Sequence, residues 1–186
     1  ALPMSMQFVI TGTSVLVNQA VLNLFGSAAS KIHMLSEQVA VSFGTAMATY
    51  AGQNYGAGKA GRVREGLRKC ALACEAITLG IMVIMTAFGG VMSSWFIDGY
   101  HPEVIQQAHL YLFISALFYP ALTMLFLYRN TLLGLGNGVT PMLAGVCELL
   151  SRMIGAPVLG HFFGFTGLCW INPIAWVTAS GLLFLS

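Results

Sequence analysis

Glu148 and Arg152 stand four residues apart in the middle of a long apolar run. An ionised side chain at the centre of a membrane helix costs about 2.5–3.5 kcal/mol on insertion scales. Spacing of four places both groups on one helix face and lets them pair, with the carboxylate on the favourable, N-terminal side. Such a pair serves either as an internal tie that holds a helical bundle together or as a coupling site, where the carboxyl carries a proton or helps hold Na⁺. The residue types and spacing allow both. Glu37, with His33 one turn before it and Lys31 nearby, forms a second cluster, which reads as a network at an outer rim in contact with water. His101, His109 and His161 fall near predicted helix ends and read as structural histidines at an interface.

Polar residues also recur at helical spacing inside apolar segments. Gln7, Thr11, Ser14 and Asn18 share one face, as do Gln38, Ser42, Thr45 and Thr49; Tyr111, Ser115, Tyr119 and Thr123 lie four apart. Any one stripe is explained by hydrogen bonds between helices, each contributing roughly 0.5–2 kcal/mol. Three stripes in one bundle point instead to a water-lined cavity, whose candidate lining is Gln7, Thr11, Asn18, Gln38, Ser42, Thr45, Tyr119 and Thr123. Tyr119, Trp170 and Trp176 could wall a cationic substrate, and Trp95 suits an interface anchor. Pro120 and Pro157 each remove a helix hydrogen bond and permit a kink.

The elements that position these residues follow from composition. The chain is 57% hydrophobic and 8% charged, with a mean hydropathy of +0.80. Soluble domains carry roughly a quarter charged residues, so this is an all-α integral membrane protein. A net charge of +2, clustered rather than striped, excludes a nucleic-acid partner. Cys70, Cys74, Cys147 and Cys169 lack metal-ligand spacing and read as small apolar side chains, so neither metal nor cofactor is expected. The chain starts at Ala1 without a basic leader and ends at Ser186 inside an apolar run, as a fragment would.

A span takes about twenty mostly apolar residues. Six are predicted, at about 4–25, 28–51, 68–92, 103–128, 141–163 and 167–186. Pro102 and Glu103 suit the first turn of the fourth, and Thr140 and Pro141 the start of the fifth. The 52–69 segment holds five of the eight Lys and Arg residues and reads as a glycine-hinged loop. Gly58-Lys59 resembles the end of a phosphate loop, but Gln53 and Ala60 occupy positions where that motif needs Gly and Ser or Thr. With 52–69 cytoplasmic, Arg129 falls in a second inner loop over 129–139. Six positive residues then lie inside and one, Lys31, outside, which agrees with the positive-inside rule.

Three stretches carry a family resemblance. Met47-Ala-Thr-Tyr-Ala-Gly-Gln-Asn-Tyr-Gly-Ala-Gly-Lys59, followed by Arg62, Arg64 and Gly66, resembles the loop between helices 8 and 9 of multidrug and toxic compound extrusion (MATE) transporters. Its motif positions here are Gln53, Asn54, Gly56, Ala57, Gly58, Arg62 and Arg64. Arg129-Asn130 with Leu133-Gly-Leu-Gly-Asn137, and Pro141 with Gly145, Glu148 and Arg152, follow in the order of that family's C-terminal half. The resemblance implies a six-helix bundle that is one lobe of a twelve-helix transporter, partnered by an N-terminal lobe of the same protein and by the lipid bilayer. It also implies Na⁺- or H⁺-coupled export of small organic cations or drugs across the cytoplasmic membrane. The Gly26-Ser27 link is shorter than the family pattern, a departure that bears on the outer end of the second span. A lipid-linked oligosaccharide flippase of the same superfamily is the nearest alternative, and a membrane-embedded assembly subunit is an alternative of another class. A membrane enzyme is disfavoured by the lack of a metal motif, of paired carboxylates and of a nucleophile with a base.

Overall fold

The computed structural model describes residues 27–94 and 102–184, together with positions 9, 10, 13 and 16. The predicted first span is outside the described residues except at those four positions, and Gln7, Thr11 and Asn18 fall outside them. So do Trp95 and His101. The described chain forms six helices: α1 (Ser27–Gly56), α2 (Ala60–Ser94), α3 (Pro102–Leu117), α4 (Tyr119–Gly134), α5 (Val139–Cys169) and α6 (Ile171–Phe184). Ala60–Gly89 and Val139–Cys169 are long and apolar enough to cross a membrane, and the bent pair Ile105–Leu117 and Tyr119–Gly134 makes a third when taken as one span.

The basic 52–69 segment is mostly helical rather than a loop. α1 runs on through Gly56 and α2 begins at Ala60, so the turn shrinks to Ala57–Lys59. Gly58, at φ +71°, closes α1: its N–H reaches the Tyr55 carbonyl at 2.9 Å and the Lys59 N–H reaches the Asn54 carbonyl at 2.8 Å. This pair of bonds satisfies carbonyls that the helix end leaves open, with glycine supplying the left-handed residue. Gly52 is tolerated inside the helix because a Cβ there would come within 3.2 Å of the Gly134 carbonyl, on α4.

The predicted 129–139 loop shrinks in the same way. α4 continues to Gly134 and ends on Gly136, at φ +84°, with Asn137 N–H bonded to the Leu132 carbonyl at 2.9 Å. The start of α5 also differs from prediction. The Asn137 side-chain oxygen accepts from the N–H groups of Val139 at 3.2 Å and Thr140 at 3.3 Å, so Asn137 and not Thr140 serves the helix start. Pro120 has the predicted consequence: α3 and α4 meet at Phe118 with a bend of 53°. The missing proline N–H and the ring's clash with the preceding turn leave no continuous helix there. α5 doubles back at Gly164, at φ 57°, where a Cβ on Gly167 would strike the Leu159 carbonyl.

The core lies among α3, α4 and α6, built on Leu112, Leu122, Leu125, Ile171 and Trp176, with α1 packed along α4. Two outer surfaces differ in chemistry. Leu79, Val83, Ile84 and Phe88 on α2, and Leu150, Met153, Ile154 and Phe162 on α5, are exposed. So continuous an apolar surface matches a hydrocarbon solvent. α1 instead exposes Gln38, Ser42, Thr45 and Thr49 along one face.

Candidate functional site

The buried charges converge on Glu148. From α5 itself, Arg152 Nη2 donates to Glu148 Oε1 at 2.9 Å, and from α4, Arg129 Nη2 donates to Oε2. The exposures of Glu148, Arg152 and Arg129 are 6%, 5% and 6%. Arg129, expected in a cytoplasmic loop, is thus an interior residue, and the positive-inside count falls to five against one. Helix α4 continues past Tyr128, so Leu122, Leu125 and Arg129 fall at three- and four-residue intervals on one buried face. That periodicity was the signal for Arg129 in the sequence.

The network extends across the bundle. Arg152 Nε donates to Asn172 Oδ1 at 3.3 Å, and Asn172 Nδ2 donates to the Tyr111 hydroxyl at 3.2 Å. Four helices, α3 to α6, are therefore joined by one chain of polar contacts. Asn172 passed unnoticed because an asparagine before Pro173 reads as a turn residue. Beyond Tyr111 lies His33, fully buried, which corrects its expected place on a wet rim. Its ring stacks on Trp176 at a centroid distance of 5.6 Å and on Tyr119 at 5.8 Å, and meets Tyr111 edge-on at 5.9 Å. His33 Nδ1 lies 3.1 Å from the Tyr119 hydroxyl and Nε2 lies 4.0 Å from Glu37 Oε2. Glu37 is within electrostatic range of Arg152, Glu148 and Arg129. Glu148 thus sits between two guanidiniums, which lowers the cost of burying these charges.

The predicted candidates divide into three groups. Tyr119, Thr123, Glu148 and Arg152 belong to the interior and Glu37 is half-buried at its edge; Thr123 bonds Thr78 across α2 and α4 at 3.0 Å. Tyr111, Ser115, Tyr119 and Thr123 are all buried within the lobe. Tyr119 and Trp176 stack on His33, and Trp170 packs edge-on against Phe118. Gln38, Ser42 and Thr45 stay on the outer face of α1, where Ser42 and Thr45 bond carbonyls of their own helix at 2.7 and 2.9 Å. The motif residues Gln53, Asn54, Gly56, Ala57, Gly58, Arg62 and Arg64 gather at the α1–α2 corner, with Asn54 Nδ2 on the Tyr50 carbonyl at 2.9 Å. Both Glu148 oxygens accept from arginine, so a cation arriving there would have to displace a guanidinium. Among the described residues no three His, Cys, Asp or Glu side chains gather as a metal site.

Known proteins share this architecture. No curated protein matches the chain in sequence. The crystal structure of a MATE transporter in complex with MaD3S superposes with a TM-score of 0.84 at 15% identity, covering 98% of this chain and 43% of that one. An outward-facing multidrug resistance MATE transporter of the MOP superfamily gives 0.71 at 18%, covering 98% and 42%. A MOP superfamily transporter from Pyrococcus furiosus gives the same 0.71 at 18%, again over 98% and 42%. The chain thus has this fold and spans less than half the length of these relatives. The MatE family model matches residues 4–158, so the chain belongs to the MatE family, integral membrane proteins that are secondary transporters and not enzymes.

Proposed function

We propose that the chain is the C-terminal lobe of a Na⁺- or H⁺-coupled exporter of small organic cations in the cytoplasmic membrane, with the Gln38–Ser42–Thr45 face of α1 lining the path between two lobes. The exposed polar face of α1 carries this reading. Among the described residues, the Ser42, Thr45 and Thr49 hydroxyls donate to backbone carbonyls of their own helix. Turned toward lipid, that face would cost free energy with no return; turned toward a partner lobe or a water-filled path, it is solvated. The apolar outer faces of α2 and α5 then meet the bilayer. Within the lobe, the Glu148 cluster acts as an internal tie that keeps the bundle rigid while the lobes move against each other.

The test is gradient-driven ethidium flux in vesicles holding the full-length protein. Export that collapses with the Na⁺ or H⁺ gradient is expected from the whole protein, and none from residues 1–186 alone, because one lobe supplies one wall. Flux from the isolated piece would contradict the half-transporter reading.

In this reading the α1–α2 corner faces the cytoplasm. A single cysteine at Ala60, in a background lacking the native cysteines, should resist impermeant thiol reagents added to intact cells. Labelling from outside would invert the orientation of every span.

A further inference from the structure

We propose that the cleft between α2, α4 and α6 that contains Glu75 is a binding site, open to the bilayer, for a small amphiphile bearing an ammonium group on an apolar body. Glu75 is half-buried, and its Oε1 is buried without a hydrogen-bond partner. The ion pairs among the described residues all use other carboxylates: Glu37, Glu65 and Glu148. The cleft beside it measures about 560 Å³, and its lining includes Pro120, Met124, Tyr128, Ser180 and Phe184. That volume falls in the range of small-molecule sites, roughly 300–1,000 Å³.

The site is separate from the Glu148 cluster. Tyr128 lines the cleft, whereas Arg129, one residue on and turned by about 100° on the helix, points to Glu148. It opens toward lipid. Leu72 and Leu79, one turn before and after Glu75 on the same face of α2, are exposed, as are Val177 and Phe184 on α6.

The chemistry selects a cation. An unpaired carboxylate at hydrocarbon depth attracts a counter-charge strongly, because the surrounding dielectric is low. Ser180 offers a hydroxyl acceptor for an ammonium N–H, the Tyr128 ring offers a π face, and Pro120, Met124 and Phe184 suit the apolar body. Depth separates a free amphiphile from a phospholipid. Glu75 lies six residues beyond Lys69, the last exposed cation of the basic start of α2, so it sits roughly 9 Å further along the helix. A lipid amine, tethered to its phosphate at the headgroup level, does not reach that depth. The inference stands independently of the ion that drives export.

The test uses the full-length protein in phosphatidylcholine nanodiscs and equilibrium binding of radiolabelled dodecylammonium, with dodecanol as the neutral control. Glu75→Gln keeps the volume and removes an unpartnered charge, so folding is preserved; it should weaken dodecylammonium binding at least tenfold and leave dodecanol unchanged. Met124→Trp, which fills the cleft and retains the carboxylate, should weaken dodecylammonium equally. Nanodiscs containing phosphatidylethanolamine should give the same result. Unaltered dodecylammonium affinity in either variant would overturn the proposal, as would equal loss of dodecanol in Glu75→Gln. Abolition of the Glu75-dependent binding by phosphatidylethanolamine would assign the cleft to a lipid amine and overturn it too. Binding is read without transport, so failure here is distinct from failure of the exporter reading.

Discussion

Glu148→Gln is expected to destabilise the lobe by about 3–5 kcal/mol, more than either Arg129→Gln or Arg152→Gln. The geometry sets the order. Loss of either arginine leaves the Glu148 carboxylate with the other, whereas loss of the carboxylate removes the acceptor of both guanidiniums at once. The double change Glu148→Gln with Arg152→Gln should recover only part of the loss, because Arg129 stays buried with Glu37 as its remaining carboxylate in range. The measurement is the thermal midpoint of the full-length protein in detergent, followed by size-exclusion fluorescence. Normal folding of Glu148→Gln with abolished export would make Glu148 a coupling site and not a tie.

Gly134→Ala is expected to be nearly as damaging, for a reason of packing. α1 and α4 touch backbone to backbone where Gly134 meets Ala48, and a Cβ there would overlap the Ala48 carbonyl, backbone that cannot rotate away. Forcing helices apart in a packed interior costs about 1–3 kcal/mol or more. Gly56→Ala is the control: no atom lies within 4 Å of its would-be Cβ, and alanine is the better helix former by about 1 kcal/mol. A lower thermal midpoint for Gly134→Ala and an unchanged or higher one for Gly56→Ala would locate the α1–α4 seam. Equal midpoints for the two would dismiss it.

Much of this could be read from residue types. The Glu148–Arg152 pair was visible because two charges in an apolar run must meet something. The break at Pro120 was visible because proline lacks the donor that a continuous helix needs. What failed was local inference about glycine. Gly52, Gly56 and Gly134 read as breakers, yet Gly52 and Gly134 stay helical where α1 and α4 approach too closely for a side chain, a fact of tertiary packing. Ending α4 early then misplaced Arg129, and with it half of the Glu148 site. His33 was misread because its partners Tyr119 and Trp176 are distant in sequence. Glu75 escaped because it sits a few residues beyond the charged start of α2, where it looks like part of a solvated face.

The outer face of α1 decides whether two lobes share a path. With single cysteines at Ser42 or Thr45 in the full-length protein, otherwise free of cysteine, a water-soluble maleimide should label both sites in membranes, and saturating ethidium should slow that labelling. A cysteine at Leu79, on the lipid-facing side of α2, should not react. Protected labelling at Ser42 and Thr45 against silence at Leu79 is the predicted result. Silence at Ser42 and Thr45, or labelling there that ethidium leaves untouched, would contradict the assignment of this face to the export path.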